Sequence, residues 1–416
     1  MSNEESSSLA RRSFIKDSGL MIAGGAIGGA VAVSKAVHGG ASAPIKVAFV
    51  GCGRRARELA DAVLSIEEET VQVVALADVV SSQTQSMYRS MKGRNGAAFA
   101  GDCIRAGGQD CLKPVLQSDA DIVYLTTPPV YRPDQFGSIV QAGKHVFLEK
   151  PLAANVAGVL ETTATAQLAA EAGLCVQVGF QRRYDARYQD IIARVRDGAI
   201  GTPVFARAFC NAGPIRKLTR SGKETDAEFQ LRNWNHFQWT GGDFLVEQHV
   251  AGLDVIRWAL DQTPVVAQGQ GGWGDFETAE QHRASSDHQG QVFDHHSVEY
   301  EFGDGVMLLS QCRRVSKAWN NTSEHVHGTE GRADLTAGVI YSPDGSVVWK
   351  SEHAFSLKSA TVVQQRSFLA SIRGGTTDNQ VESAAESTLV ALLGHQATRT
   401  GKRVRMDRML NEASNA

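Results

Sequence analysis

The chain has 416 residues, with 42 Lys and Arg against 45 Asp and Glu, a formal net charge of -3. That balance argues against an electrostatic nucleic-acid binder, which presents a basic face or domain. Charged residues at 21% and hydrophobic ones at 42% exclude broad disorder, six Cys are too few for a disulfide scaffold, and no apolar run makes a clear membrane span. At roughly 150 residues per domain, the length suggests two or three domains.

The start is polar, then basic, then apolar. Ala10-Arg11-Arg12-Ser13-Phe14-Ile15-Lys16 carries adjacent arginines, an apolar pair and a lysine, and Leu20 to Val33 is apolar but diluted by glycine. This pattern predicts a twin-arginine export signal. The expected partner is the twin-arginine export machinery, and the expected location periplasmic or otherwise extracytoplasmic. Ala41-Ser42-Ala43 has the small-x-small form of a cleavage site, yet Pro44 follows directly. Cleavage nearby and an uncleaved membrane tether both remain open. In an oxidising compartment Cys103 and Cys111 are able to pair, whereas Cys52, Cys175, Cys210 and Cys312 read as small buried hydrophobes.

Ile45 to Val50 is a short β-branched run, followed at once by Gly51-Cys52-Gly53-Arg54-Arg55-Ala56 and a helical stretch. Strand, glycine turn and helix in that order suit a pyrophosphate: Gly51 for the tight turn, Gly53 for close approach, and Ala56 small enough for helix–strand packing. A second strand, Val71 to Ala77, ends in Asp78, placed to hydrogen-bond ribose hydroxyls. No Arg or Lys follows closely enough to pair a 2′-phosphate, so NAD is favoured over NADP.

The alternation continues. Strands are expected over 121–126, 144–148 and 174–179, and helices over 131–143 and 153–172, which predicts a doubly wound parallel sheet. Asp78, Thr127, Pro128, Glu149 and Lys150 fall at the carboxyl ends of its strands, where such sheets bind ligands.

Gly51-x-Gly53-x-Arg55-Ala56, Thr127-Pro128-Pro129, Gly143-Lys144-His145-Val146 and Glu149-Lys150-Pro151, in order and spacing, resemble the Gfo/Idh/MocA oxidoreductases. Gly179 to Asp185 looks like that family's entry to its second domain, and Gly241-Gly242-Asp243 through Trp258 like its second-domain signature. The resemblance runs from about Pro44 to the end. It implies an N-terminal Rossmann domain plus a C-terminal α/β domain with an open, mostly antiparallel sheet. The expected division is 1–43 signal and linker, 44–172 NAD(P)-binding domain, and 173–416 substrate and oligomerisation domain. The activity implied is hydride transfer between NAD(P) and a hydroxyl carbon of a sugar, sugar derivative or cyclitol, with tight binding of the cofactor left open. The lysine matching Lys150 reaches substrate and cofactor in relatives, and Pro151 looks there like the site of a cis bond.

The family's second motif is Asp-x-x-x-His. Alignment on Gly241-Gly242 and Asp254 puts Glu247 at the acid and Ala251 at the histidine, so the imidazole is missing. His249 lies two residues earlier, and in a helix it points about 200° away from Glu247. Three readings follow. Lys150 is the sole base with Glu247 and His249 as pocket walls, or His249 acts by another geometry, or redox activity is lost.

Arg183, Tyr184, Arg232, Trp234 and Asn235 are candidate substrate contacts, because amides and aromatics in a run suit a carbohydrate surface. No metal site is expected: His295 and His296 are adjacent on a strand and point to opposite faces. Strands near 203–210, 265–273, 296–302, 305–314 and 346–350 form the second sheet, and 270–293 reads as a polar loop between strands, a candidate cover for the pocket. In relatives such a sheet face often associates, so a homo-oligomer is expected. The near-neutral charge fits an uncharged polyol better than an acidic partner. Two alternatives stand beside this: a glycoside lyase or hydrolase using transient oxidation, and a non-catalytic nucleotide- or sugar-binding protein.

Overall fold

The computed structural model describes residues 43–220, 222, 224–274 and 292–415. The export signal and most of the polar loop lie outside the described residues. The first sheet contains β1 (Ile45–Val50), β2 (Val71–Asp78), β3 (Phe99–Gly107), β4 (Ile122–Leu125), β5 (His145–Leu148) and β6 (Val176–Val178). All neighbours are parallel, in the order β3-β2-β1-β4-β5-β6. Every residue of β4 and β5 is buried, as a sheet covered on both faces demands. The cover comes from α1 (Arg54–Val63), α2 (Ser81–Arg94), α3 (Leu112–Leu116), α4 (Arg132–Gln141) and α5 (Val156–Glu171). Phe49, Tyr124 and Phe147 stack across β1, β4 and β5, with ring centroids 4.7 and 5.4 Å apart. The strand order reverses between β1 and β4, and a doubly wound sheet opens its ligand crevice at that point.

After α6 (Ala186–Arg196) the chain enters β7 (Pro203–Ala212), then the short helices α7 (Asp226–Arg232) and α8 (Gln238–Gly241), then α9 (Val250–Leu260). Seven strands follow: β8 (Val266–Gly272), β9 (His295–Glu301), β10 (Met307–Arg314), β11 (Asn321–Gly328), β12 (Arg332–Asp334), β13 (Val339–Tyr341) and β14 (Val347–Lys350). Helices α10 (Leu357–Arg373) and α11 (Val381–Thr400), strand β15 (Val404–Arg405) and α12 (Met406–Ser414) complete the described chain. The second sheet has nine strands in the order β14-β13-β12-β11-β7-β10-β9-β8-β15. Only the β7–β10 pair is parallel. Helices α9 and α11 pack on one face of this sheet.

The five strands expected here are present, and four more join them. β11 escaped notice because Asn321-Thr322-Ser323-Glu324-His325 is polar throughout, yet Glu324 and Val326 face inward and are fully buried. β3, also unforeseen, is an edge strand rich in exposed residues. Cys103 and Cys111 are free thiols, so the pairing considered for them does not form. Each is buried in the packing around α3 and β3 instead. Among the described residues, no helix is long and apolar enough to cross a membrane.

Candidate functional site

The glycine turn leaves β1 at Gly51, whose φ of +87 and close approach to the Thr126 backbone, 2.9 Å from where a Cβ would stand, exclude other residues. A Cβ on Gly53 would have nothing within 4 Å. Gly53 caps α1 without any side-chain hydrogen bond, so the N–H groups of the first turn stay available. An open cradle over uncapped N–H groups fits a pyrophosphate. Ala56 is fully buried against the sheet, as its small size allows. Asp78 accepts from the Cys52 N–H at 2.7 Å and from the Val80 N–H at 2.8 Å. Burial lifts its carboxyl above the ordinary value, and those two N–H groups pull the other way. Each oxygen keeps a lone pair for a ribose hydroxyl.

Arg55 does not face the cradle as a free donor. Its Nε donates to Glu149 Oε1 at 2.6 Å and its Nη2 to Gln181 Oε1 at 3.3 Å. It ties the glycine turn to the loop after β5. Thr127 lies at the carboxyl end of β4, where its hydroxyl donates to Gln135 at 2.6 Å, and Pro128 leads from it into a short turn at Pro129–Tyr131.

Glu149 and Lys150 follow β5, and the Lys150–Pro151 bond is cis. Two neighbouring loops converge on one residue that sequence reasoning missed. Arg132, 4% exposed, donates to the Thr127 carbonyl at 2.8 Å, to the Glu149 carbonyl at 3.0 Å and to the Pro151 carbonyl. Burial pulls its guanidinium down to about 10, against the fields of Glu149 and Glu247. The only local signal was an arginine opening α4 three residues after Pro129.

Lys150 Nζ reaches across to the second sheet's helices, donating to the Glu247 carbonyl at 2.5 Å and to Glu247 Oε1 at 3.3 Å. Both side chains keep a little solvent access, 18% and 14%. Burial alone would raise the Glu247 carboxyl, but Lys150, the Gln248 amide and Arg132 hold it below the usual carboxylate range.

Glu247 is carried by a π-helical turn, Leu245–His249, that runs into α9. Just before it, Asp243 adopts φ +113, an unusual conformation for a residue with a side chain. Its carboxylate is fully buried and accepts from His296 at 3.1 Å and from the Phe293 N–H at 3.3 Å. Burial would raise that acid, but His296 and His395 hold it well below the ordinary range. Asp243 thereby fixes where the turn begins, and its carbonyl accepts the Glu247 N–H at 2.8 Å.

His249 makes no hydrogen bond to Lys150 or Glu247. It is 0% exposed and its Nε2 meets Ser310 Oγ of β10 at 2.8 Å. Burial, with the fields of Arg182 and His296, lowers its pKa to about 3. With only Gln248 between them, Glu247 and His249 point to different sides of the turn, and the imidazole meets the sheet.

Arg183 and Tyr184 are engaged by partners within the protein. Arg183 grips Asp254 through two bonds of 2.9 and 2.7 Å, and Tyr184 O–H accepts from Gln177 at 3.0 Å and Gln380 at 2.6 Å. Arg183 ties its turn to α9, and Tyr184 ties the same turn to β6 and the start of α11. Their neighbour Arg182 turns to the sheet and meets Glu324 at 2.5 Å, which Tyr188 and Thr336 also contact. Arg232 pairs with Glu224. Trp234 and Asn235 are half-buried in a one-turn helix that leads into α8, and α8 packs against Pro129–Tyr131 beside the first sheet. His295 binds Asp294 at 2.6 Å, and among the described residues no cluster of three ligands is placed to hold a metal ion.

The model of an oxidoreductase family with an NAD-binding Rossmann fold, GFO_IDH_MocA, matches residues 45–180. Scyllo-inositol 2-dehydrogenase (NAD(+)) of Bacillus subtilis is 25% identical over 313 residues, 73% of this chain and 83% of that protein. The 1,5-anhydro-D-fructose reductase of Ensifer adhaerens is 26% identical over 66% of this chain and 73% of its own. Scyllo-inositol dehydrogenase from Lactobacillus casei, solved with NAD(H) and scyllo-inositol bound, superposes with a TM-score of 0.64 at 19% identity, covering 88% of this chain and 99% of that one.

Proposed function

This chain belongs to the Gfo/Idh/MocA oxidoreductase family and is an NAD-dependent enzyme acting on CH–OH groups, and from that premise we propose that it interconverts a carbinol and a carbonyl on a cyclitol or sugar derivative, using Lys150 and Glu247 to handle the proton. The observation that carries the proton role is the seat of Lys150 Nζ between the Glu247 carbonyl and carboxylate. Bound NAD would supply the hydride acceptor for the carbinol carbon. The residues suited to holding it are Gly51, Gly53 and Ala56 for the pyrophosphate, Asp78 for the ribose, and Thr127, Pro128, Glu149 and Lys150 along the crevice. Arg55 acts behind them by positioning Glu149.

Lys150 takes the proton of the substrate hydroxyl as the carbonyl forms, and the Glu247 carboxylate, which stays ionised, offsets the positive charge this puts on the amine. Reduction runs the same transfer backwards. Trp234 and Asn235, half-buried just before the helix that packs on Pro129–Tyr131, are the candidate substrate contacts on that side. Ala251 in place of a histidine makes the Lys150–Glu247 pair the whole of this machinery. The relatives, which are dehydrogenases and reductases, favour neither the lyase or hydrolase alternative nor a non-catalytic protein.

Export by the twin-arginine route is part of the proposal, supported by Arg11-Arg12 and the glycine-diluted apolar run after them. A homo-oligomer is supported by the open face of the second sheet, where Phe205, Phe209 and Leu309 are only half-buried. Mass spectrometry of nucleotide released on denaturation, followed by NADH formation across a polyol panel, tests the activity. Protein that neither carries nor binds a nicotinamide nucleotide overturns it. Cell fractionation of wild type and an Arg11→Lys, Arg12→Lys double variant tests export, and equal distribution of the two contradicts it.

A further inference from the structure

The charged side chains around Lys150 pair off with two exceptions, Arg132 and Arg314. Arg55 meets Glu149, Arg182 meets Glu324, Arg183 meets Asp254 and Lys150 meets Glu247. Arg132 is satisfied by three peptide carbonyls. Arg314 has no carboxylate within ion-pair distance among the described residues. Its Nη1 donates to the Gly213 carbonyl at 3.1 Å, and its Nε is buried with no hydrogen-bond partner. A buried donor left open calls for a ligand or an unseen partner to satisfy it.

Its position is set by the sheet. Ser310, Cys312 and Arg314 alternate along β10 and share the inner face, the face on which His249 meets Ser310. Cys312 is opposite Cys210 of β7. The guanidinium lies 4.3 Å from the ring centroid of Phe244, three residues before Glu247. Burial lowers the Arg314 guanidinium, with the fields of Cys210 and Glu247 opposing it. Burial raises the Cys210 thiol, and Arg314, Arg182 and Lys150 all act to lower it. Through Phe244, which leads into the turn that carries Glu247, Arg314 is placed near the Lys150–Glu247 pair.

Resting on the carbohydrate reading above, we infer that Arg314 selects a substrate bearing a carboxylate, an aldonate- or uronate-type sugar acid, and binds that group beside the carbinol presented to Lys150. A neutral polyol gives an unpaired, half-buried guanidinium no charge to neutralise, whereas a planar carboxylate matches its fork of donors. The near-neutral charge of the whole chain does not oppose this, because selectivity is set by the local field of the pocket.

The test uses the full chain loaded with NAD. Calorimetry compares D-gluconate, D-glucuronate and D-galacturonate with myo-inositol and D-galactose, for wild type, Arg314→Gln and Arg314→Lys. Wild type should bind at least one acid about tenfold or more tighter than either neutral compound, a difference typical of a charge-assisted contact. Arg314→Gln should erase that ratio, Arg314→Lys should recover part of it, and NAD affinity should move little in both. The inference is overturned if the neutral compounds bind as tightly as the acids, if no acid binds, or if Arg314→Gln weakens NAD to the same degree. NADH formation read in parallel separates the two claims. Arginine-dependent acid binding without any NADH leaves the selectivity standing and defeats the reaction assignment.

Discussion

The edge of the first sheet and the turn from Gly241 to His249 each deliver one charged side chain to the same point, by opposite means. At the sheet edge, short loops follow buried strands, and fully buried Arg132 fastens them through their carbonyls. Lys150 is thus fixed by backbone hydrogen bonds that lie close to it in sequence. On the other side, Glu247 is fixed from a distance. Asp243 is held in a strained conformation by His296 and by the Phe293 N–H, roughly fifty residues away along the chain, and the wide turn then decides which side chain faces Lys150. The first arrangement tolerates changes elsewhere in the fold. The second depends on the second sheet being assembled.

The comparison breaks first at Lys150. Replacing it with alanine should lower kcat by about 10²–10⁴-fold, the range of a lost acid–base group, with NAD still bound. Arg132→Met tests whether the sheet edge is clamped as described. Stranding buried carbonyls should cost about 3 kcal/mol in denaturant unfolding, and a change under about 1 kcal/mol would mean the loops hold themselves. Glu247→Gln keeps the hydrogen-bonding shape and removes the charge. Its kcat/KM should fall by about 10–100-fold, less than for Lys150→Ala, because the lysine still reaches substrate.

The smallest effect lies with His249. Its imidazole titrates near 6.5 when unfolded and near 3 when folded. The unfolded chain then binds the extra proton between those values, so the contribution of His249 to stability is present above about pH 6.5 and lost as pH falls towards 3. His249→Asn should flatten the unfolding free energy across that window. The depressed Asp243 carboxyl acts lower, since its contribution is lost only below its ordinary 3.8. A loss of turnover in His249→Asn as severe as in Lys150→Ala, with folding intact, would return the histidine to the reaction.

The parts legible in the sequence were those whose cause is local. Gly51, Gly53 and Asp78 sit at the ends of β-branched runs, so a strand, a turn and an acid could be placed without tertiary knowledge. Glu247 was legible by alignment on Gly241-Gly242. Arg183 and Tyr184 misled because polar residues at a junction look alike whether they face a ligand or another helix, and Asp254, the partner of Arg183, is 71 residues away. Arg132 gave only its place at the start of α4 and Arg314 gave no signal, since an arginine at a helix start or a strand end is ordinary until its partners are known. β11 was hidden because its inward side carries Glu324, buried by virtue of Arg182.

The central claim is that Lys150, paired with Glu247, handles the proton in an NAD-dependent oxidation of a carbohydrate hydroxyl. Its most direct test is the initial rate of NADH formation by wild type and Lys150→Ala, with NAD saturating both, over a panel of cyclitols, aldoses and sugar acids. Wild type should reduce NAD with at least one of these, and Lys150→Ala should do so about 10²–10⁴-fold more slowly on the same compound. Equal rates from the two proteins, or no NADH from NAD-loaded wild type with any compound, would contradict it.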